Sequence, residues 1–267
     1  MAKKHKDDYG SYILNNKESL LRRKKKILRI KQTILVLILL LTICITLGLT
    51  VPAFNISQVK VSGLENITEE EILTSANVDI GKNIFKLNTK DIKNNIVKNS
   101  YIDDVKIKRK LPNTIAIDIT ERKPAFYIEG ADGNYIIDIN GMVIGKEEDV
   151  EAIDILKVEG IPEENIVIGE SIEGENNSNL EGLKDIYNFL REKNFFEEYK
   201  TLKVQVRDFV EYTLLVNETS LKLGTSDKIN EKLAKGFSIL IDPKFVGLKG
   251  YIDVSFEGNP VIYKDGE

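Results

Sequence analysis

The sequence is poor in the residues on which many enzymes and secreted scaffolds depend. Its 267 residues include one cysteine, one histidine and no tryptophan. Cys44 lies in an apolar segment, so the chain beyond that segment has neither a disulfide nor a thiol nucleophile. His5 lies near the N-terminus, so the same region offers no histidine base or metal ligand. These absences exclude a disulfide-stapled scaffold and reactions that need Cys or His there.

Charge is also absent from one long stretch, residues 33–54. A helix of 22 residues would span about 33 Å, enough to cross a hydrocarbon core of ~30 Å. Residues 1–31 carry a formal charge of +8, and because the whole chain carries −4, the remainder carries −12. Lys and Arg next to a span stay on the cytoplasmic side. The sequence therefore predicts a largely disordered, lipid-bound cytoplasmic tail at 1–31, a transmembrane helix at 32–54 and an external C-terminal region.

A cleaved signal peptide is the alternative interpretation of this stretch. The apolar region of a signal peptide usually has ~7–15 residues and ends at a small-residue cleavage site. Here the run is longer, and only Ala53 could precede a cut, with Val51 at the other small-residue position. The pattern favours an uncleaved anchor.

The segment after the span has the order β-α-α-β-β. Val59 and Val61 alternate with polar residues, as in a strand. Thr68 and Glu71 form a capping box before a helix, and Thr89 can cap a second one. Three strands with two helices on their apolar face make a small α+β domain. The two later strands are predicted at 105–109 and 115–119, with a turn at 111–114 between them. The whole domain covers residues 55–122.

Beyond Pro124, which favours a strand break or a sheet edge, the sequence predicts a β-rich domain at 123–263 and a short tail at 264–267. One predicted helix contains Leu183, and another is capped by Ser226. A polar loop is predicted at 174–179. The predicted strands cover 125–129, 135–139, 142–144, 156–158, 165–168, 201–207, 210–216, 220–223, 250–256 and 260–263. The fold class is thus α+β: one transmembrane helix, the β-α-α-β-β domain, and a β-rich domain with flanking helices.

Short motifs occur in a fixed order along nearly the whole chain. They are Val59-Lys60-Val61-Ser62-Gly63, Gly81-x-Asn83-Ile84-Phe85, Ile107-Lys108-Arg109-Lys110-Leu111-Pro112, Thr120-Glu121-Arg122-Lys123-Pro124-Ala125, Asp138-Ile139-Asn140-Gly141-Met142-Val143, Leu223-Gly224 and Tyr251-Ile252-Asp253-Val254. No single motif is specific, whereas their order and spacing are. With these motifs the organisation resembles the FtsQ/DivIB family of bacterial cell-division proteins, and the β-α-α-β-β unit resembles a POTRA domain.

The resemblance implies a non-enzymatic scaffold in the cell membrane at the division septum. Such proteins bind FtsL and FtsB/DivIC-type partners on the outer face and help recruit or regulate the septal peptidoglycan synthase. The resemblance implies no cofactor, metal, nucleic acid or small-molecule substrate. It places partner binding on a sheet edge within residues 249–263, where an extended peptide could add a strand. The residues it implicates are Tyr251, Ser255, Phe256, Gly258, Val261 and Tyr263. We expect Val254 in the core, and for Phe256 core and contact roles are equally expected.

Two alternatives belong to other classes. A cell-wall enzyme is suggested by Ser57-x-x-Lys60, the spacing of a known nucleophile motif. That chemistry needs both side chains on one helical face, whereas here they fall at the start of a predicted strand. Paired carboxylates for glycoside hydrolysis are not excluded, although surface charge is the more economical explanation. The second alternative is a POTRA-bearing chaperone or outer-membrane assembly factor, which would usually repeat the module or add a barrel.

Overall fold

The computed structural model describes residues 3–150, 155–172, 178–207 and 210–266. The backbone divides into two units. Unit 1 comprises Met1–Lys60, Val78–Asn88 and Lys108–Ala116, and unit 2 comprises Val61–Asn77, Thr89–Ile107 and Ile117–Glu267. Across the described residues the elements are a long N-terminal helix, a three-stranded sheet with two helices, and a nine-stranded sheet with further helices. This is the α+β class expected from the sequence.

The N-terminal helix α1 is Lys3–Thr50. Its part Leu21–Thr50 is long and apolar enough to cross a membrane, and it is the one helix within the described ranges that passes this test. Pro52 begins a 3-10 helix, Pro52–Phe54, that follows α1. The expectation that residues 1–31 are largely disordered is wrong for the described part, since α1 already begins at Lys3. The tail is rich in Lys, Leu and Arg, which are strong helix formers, and it extends a helix nucleated by the apolar span.

The β-α-α-β-β order is confirmed. Its elements are β1 Gln58–Ser62, α2 Glu69–Ala76, α3 Thr89–Ile96, β2 Ile102–Lys110 and β3 Thr114–Glu121. The strands form a sheet in the order β1-β3-β2. The capping box is present, since Thr68 accepts from the Glu71 backbone and the Glu71 side chain accepts from the Thr68 backbone. Ile72 and Ala76 of α2 and Ile92 of α3 are buried, which is the amphipathic spacing seen in the sequence.

Glu121 is a buried carboxylate that the pattern did not single out. Its oxygens accept backbone N–H bonds from Glu65 at 2.8 Å, Asn66 at 2.8 Å and Ile67 at 3.1 Å. Burial alone would raise the pKa of this carboxyl group, but the backbone bonds from Glu65, Ile67 and Asn66 outweigh it and lower the pKa. Glu121 therefore ties the end of β3 to the loop before α2.

The second sheet has the strand order β12-β11-β10-β9-β8-β7-β4-β5-β6. Its pairs are antiparallel except for β4 with β7, β7 with β8 and β10 with β11, which are parallel. The strands are β4 Pro124–Gly130, β5 Gly133–Asp138, β6 Val143–Glu147, β7 Leu156–Glu159, β8 Leu202–Arg207, β9 Glu211–Val216, β10 Thr219–Gly224, β11 Gly250–Asp253 and β12 Val261–Lys264.

Helices α4 Ser178–Glu192, α5 Phe195–Glu198 and α6 Ile229–Leu240 accompany this sheet. Two glycines allow close packing, because a Cβ on Gly182 would lie 2.5 Å from Tyr212 Cζ and one on Gly236 would lie 2.3 Å from Leu221 Cδ1. Phe195 and Phe237 stack at 4.4 Å between ring centroids. The core thus lies between these helices and the sheet and continues to β11 through Ile252, which is fully buried.

Several local predictions need correction. No strand occurs at 165–168; the structure has a 3-10 helix, Glu163–Asn165, which begins after Pro162. Ser226 does not cap α6, whose N-cap is Lys228 in the left-handed region without a side-chain bond. Of the two expectations for Pro124, the strand break is confirmed, since β3 ends at Glu121 and β4 begins at Pro124. The sheet edge is wrong, because β4 is an interior strand.

Two further predictions differ in extent. The strand expected at 250–256 stops at Asp253, because the Asp253 carboxylate accepts from Ser255 N at 3.0 Å and closes a turn. Of the polar loop expected at 174–179, residues 174–177 lie outside the described residues. The last two positions belong to α4, which begins at Ser178. The short helix α5 was not foreseen.

Candidate partner-binding edge of the sheet

Strand β12 is the last strand at one end of the nine-stranded sheet. It pairs antiparallel with β11 in the register Gly250↔Lys264, Tyr251↔Tyr263, Ile252↔Ile262 and Asp253↔Val261. All four β12 residues are exposed. No further strand pairs with β12 in the described part of the chain. The predicted sheet edge is therefore β12, and β11 is the strand behind it.

The hydrogen-bond phase of this pair decides which backbone groups face outward. Asp265 N donates to Lys249 O at 2.8 Å, and hydrogen-bonded pairs alternate along an antiparallel ladder. Tyr263 and Val261 therefore bond to β11, whereas Ile262 belongs to a non-hydrogen-bonded pair. Its N–H and C=O point away from β11, toward the open edge. Pro260, two residues earlier, has no N–H, so the row of donors stops there.

Close approach of β12 depends on Gly250. This residue has a φ of +143°, and a Cβ on it would lie 2.1 Å from Tyr263 O. Such a contact with backbone cannot be relieved by rotating a side chain. Gly250 thus lets Tyr263 O reach β11 and sets where the edge strand lies.

One face of the edge carries an aromatic ladder. The rings of Tyr251 and Tyr263 stack at 5.2 Å between centroids with an interplanar angle of 20°. Lys222 Nζ of β10 lies 3.6 Å from the Tyr251 centroid, a cation–π contact. This arrangement holds three strands together on the face away from Ile252 and leaves Tyr263 exposed at its end.

The loop 254–260 that joins β11 to β12 is tied to α6. Lys228 and Glu257 form an ion pair at 2.8 Å, and Lys235 Nζ donates to the Gly258 carbonyl. The hydrogen bond from Lys228 lowers the pKa of the Glu257 carboxyl group, and Glu257 in turn raises the pKa of Lys228. Phe256, in the same loop, is 47% exposed. The loop therefore presents an aromatic ring beside α6 and the edge strand.

The structure distributes the predicted site residues over β11 (Tyr251), the loop 254–260 (Ser255, Phe256 and Gly258) and β12 (Val261 and Tyr263). Tyr251 and Tyr263 pair directly across the two strands. Ser255 is bound to Asp253 and closes the strand, while Phe256 lies over Gly258, 3.9 Å from a Cβ built there. Val254 is buried, as expected, and Phe256 is exposed. Any binding role for Tyr251, Ser255, Phe256, Gly258, Val261 and Tyr263 stays a prediction.

Sequence reasoning missed Ile262. Side-chain alternation at 261–263 does not show which backbone groups face the edge, whereas the register shows that those of Ile262 do. A signal was available in Pro260, since alternate positions from a proline share its backbone direction. Detecting it requires knowing which neighbour β12 pairs with, which the sequence does not show.

The opposite edge of the sheet, at β6, is covered by the chain itself. Val143 N donates to Glu170 O at 2.9 Å, and Gly169 N donates to Val143 O at 2.8 Å. Ser100 Oγ donates to Ile144 O at 2.6 Å. These contacts all lie within unit 2. They leave β12 as the edge at which backbone groups face solvent.

The geometry does not support an enzyme site at the motif Ser57-x-x-Lys60. Ser57 precedes β1 and Lys60 lies within it, so they are not on a helix. Among the described residues, no group of three or more His, Cys, Asp or Glu side chains could hold a metal ion.

Comparison with known proteins agrees with the fold. A family model described as "POTRA domain, FtsQ-type" matches residues 54–122. The chain is 35% identical over 241 residues to "Cell division protein DivIB" of Clostridium botulinum, covering 90% of this chain and 93% of that protein. It is 37% identical to the protein of the same name from Clostridium tetani, over 85% of each. Against "Cell division protein FtsQ" of Corynebacterium glutamicum it is 30% identical, over 41% of this chain and 49% of that protein.

The helix α1, whose apolar part is long enough to cross a membrane, and the POTRA domain that follows it place the chain in the class of POTRA-bearing proteins with an N-terminal candidate membrane span. The relatives that match along most of its length narrow this further. The chain belongs to the FtsQ/DivIB family of cell-division proteins.

Proposed function

We propose that the β12 edge binds an extended segment of a membrane partner and that the chain is a non-enzymatic scaffold of the division machinery. The observation that carries the proposal is the edge itself: the outward backbone of Ile262 beside the exposed side chains of Val261 and Tyr263. An added strand would pair with these backbone groups, and alternate side chains would supply selectivity. A partner segment with apolar and aromatic side chains would suit the two faces of the sheet at β12.

The partners expected from the family resemblance are FtsL and FtsB/DivIC-type proteins. Through them the scaffold would help recruit or regulate the septal peptidoglycan synthase. The basic residues before the span support a cytoplasmic N-terminus and an extracellular C-terminus, since Lys and Arg are retained inside. A location at the septum is what the family resemblance implies. Partners with their own single spans would then meet β12 by diffusion in the same membrane.

The sharpest test replaces the outward donor of the edge. Ile262→Pro removes an N–H that does not bond to β11, so the sheet should persist. We expect full-length protein to lose partner capture from detergent-solubilised membranes by about fivefold or more, since one hydrogen bond is worth ~1 kcal/mol and the ring also obstructs the edge. Ile262→Ala, which keeps the N–H, is the matched control for the side chain. Val261→Pro removes a bond to β11 and should damage the edge strand as well.

A side-chain variant tests the neighbouring loop. Phe256→Glu places a charge on the exposed ring position and should abolish capture while far-UV circular dichroism stays unchanged. Val246→Glu, at another exposed apolar position of unit 2, is its control. Unchanged capture by both Ile262→Pro and Phe256→Glu would refute the proposed edge. Hydrolysis of cell-wall polymer by the purified protein would instead favour an enzyme.

A further inference from the structure

The outer end of α1 is fastened to a POTRA loop, and both belong to unit 1. Asn83 Nδ2 donates to Gly48 O at 2.9 Å, and the side-chain oxygen Asn83 Oδ1 accepts from Phe85 N at 3.0 Å. The Phe85 ring lies 5.4 Å from the Phe54 ring and would be 3.6 Å from a Cβ on Gly48. Asn83 is buried. The loop 78–88 therefore stays at the level of the helix end.

That level is close to the outer boundary of the hydrocarbon. Lys31 is the last cation before the span, and Gly48 follows it by 17 positions in the sequence. The rise between them is about 26 Å at ~1.5 Å per residue, against a hydrocarbon core of ~30 Å. With Lys31 at the inner boundary, Gly48 lies within about one helical turn of the outer one. Side chains of the attached loop thus reach the lipid head groups.

Exposed apolar side chains occur on the two loops that bond to the residues following this helix end. Ile80 is 62% exposed, Leu111 is 59% exposed and Phe85 is also exposed. The segment 54–57 of unit 1 forms backbone hydrogen bonds with both loops. Ile84 N donates to Phe54 O at 2.8 Å, and Ser57 N donates to Asn113 O at 2.9 Å. Such side chains are unfavourable in water and favourable at a membrane interface.

Arg109 fixes the relative position of the two loops. Its Nε donates to Ile84 O at 2.9 Å and its Nη2 donates to Leu87 O at 2.7 Å. Arg109 thus ties the end of β2, next to Leu111, to the loop that carries Phe85. The two loops form one surface within unit 1.

The charge of this surface matches a bilayer of anionic lipid. The part of unit 1 that follows the span carries six Lys and Arg and a single acidic residue, Asp79, a formal charge of +5. Since residues 55–267 together carry −12, unit 2 carries −17. Lys82 pairs with Asp79, whereas Lys86 and Lys110 are exposed beside Phe85 and Leu111. The net charge of the outer region is thus positive in the unit that carries these apolar side chains and negative in unit 2.

We infer that residues 78–88 and 108–113, together called the membrane foot, rest in the interface of the outer leaflet. Ile80, Phe85 and Leu111 insert among the acyl chains near the head groups, and Lys86 and Lys110 contact lipid phosphates. The POTRA loops of unit 1 are then held on the membrane by two attachments, the helix α1 and the foot. This inference rests on the membrane anchor and is independent of partner binding at β12.

The absence of tryptophan makes a direct test possible. Ile80→Trp introduces a lone indole into the full-length protein, reconstituted in vesicles of phosphatidylcholine and phosphatidylglycerol. Lipids brominated near the head-group end of the chain should quench most of its fluorescence, and the emission should be blue-shifted. Val246→Trp, on an exposed position of unit 2, is the matched control and should be quenched by aqueous iodide instead.

A second indole and the charges complete the test. Leu111→Trp should be quenched by brominated lipid as Ile80→Trp is. In the Ile80→Trp background, Lys86→Gln with Lys110→Gln should reduce the lipid quenching, as should vesicles of phosphatidylcholine alone. Iodide quenching of both Ile80→Trp and Leu111→Trp at the level of the control, with no loss to brominated lipid, would overturn the inference. Lipid quenching that is indifferent to the lysines and to lipid charge would overturn the role of the cations.

Discussion

The two edge strands of the nine-stranded sheet differ in whether the chain covers them. At β6 the chain covers its own edge, because Glu170 O and Gly169 N bond to Val143 and the Ser100 hydroxyl bonds to Ile144 O. Val143 and Ile144 are fully buried. At β12 every residue is exposed, and the backbone of Ile262 faces outward.

The difference shows which edge is available for binding. An uncovered edge is a template for pairing with another chain, and proteins usually shorten, charge or cover such edges. The β6 edge is covered, whereas β12 is limited only by its length of four residues and by Pro260. Variants that open the first edge or disorder the second would test this distinction.

The largest effect is expected at the end of β5, the strand next to the covered edge strand β6. Arg122 lies 2.7 Å from Asp138, and both side chains are largely buried. Arg122→Ala leaves the Asp138 carboxylate without its cation and should lower the free energy of unfolding by ~3 kcal/mol. Urea unfolding of the detergent-solubilised protein measures this. Lys123→Ala, which breaks an exposed pair with Glu65, is the control and should cost less than ~1 kcal/mol; equal costs for the two would contradict the burial argument.

A smaller and more local effect is expected at the open edge. Gly250→Ala forces a side chain against Tyr263 O at a φ of +143° and should cost ~2 kcal/mol through strain and lost pairing. Amide hydrogen exchange should speed up at Val261 and Tyr263, whose N–H groups bond to β11, but not at β6. Gly247→Ala, at a φ of +73° with no atom within 4 Å, is the matched control and should affect these amides little. Slow exchange in Gly250→Ala would show that β12 does not need this close approach.

The smallest effect is on the loop next to the open edge. Lys228 lowers the pKa of the Glu257 carboxyl group in the folded protein. The ion pair therefore stabilises the loop at a pH above 4.5, the ordinary pKa of Glu, and this stabilisation is lost as the pH falls through the lowered pKa of the folded state. The pKa of Lys228 is raised, so its contribution is lost only in alkali. Exchange at 254–260, corrected for intrinsic rates, should increase in acid. In Lys228→Gln the acid-dependent increase in exchange at 254–260 should disappear. If the increase persisted, another titrating group would be responsible for it.

Local features were predicted well because they depend on a few adjacent residues. The capping box at Thr68 and the helix containing Leu183 follow from spacing alone, and both are present. The strands expected at 125–129 and 135–139 are also present, as β4 and β5, which pair with Gly130 opposite Gly133. In contrast, Ser226 and the strand at 165–168 were misjudged, because the neighbouring packing, and not the propensity of the residue itself, decides caps and short strands.

The candidate site was located in sequence but not in geometry. Residues 249–263 were singled out by resemblance, yet the strand there ends at Asp253, and the edge is formed by β12. Whether Phe256 lies in the core was undecided from the pattern, since alternation predicts an inward position only while the strand continues. The turn at Asp253 ends that alternation and leaves the ring exposed.

The sequence by itself determined the apolar span, the basic tail, the order of the POTRA elements and the family. These depend on composition and on periodicity within about ten residues, which a chain carries whatever its tertiary contacts. Only the tertiary structure decided which strand is the open edge, which backbone groups face outward there, and that the loop with Phe85 lies at the helix end. Sheet order and register come from pairings between segments far apart in the chain, and no local pattern specifies them.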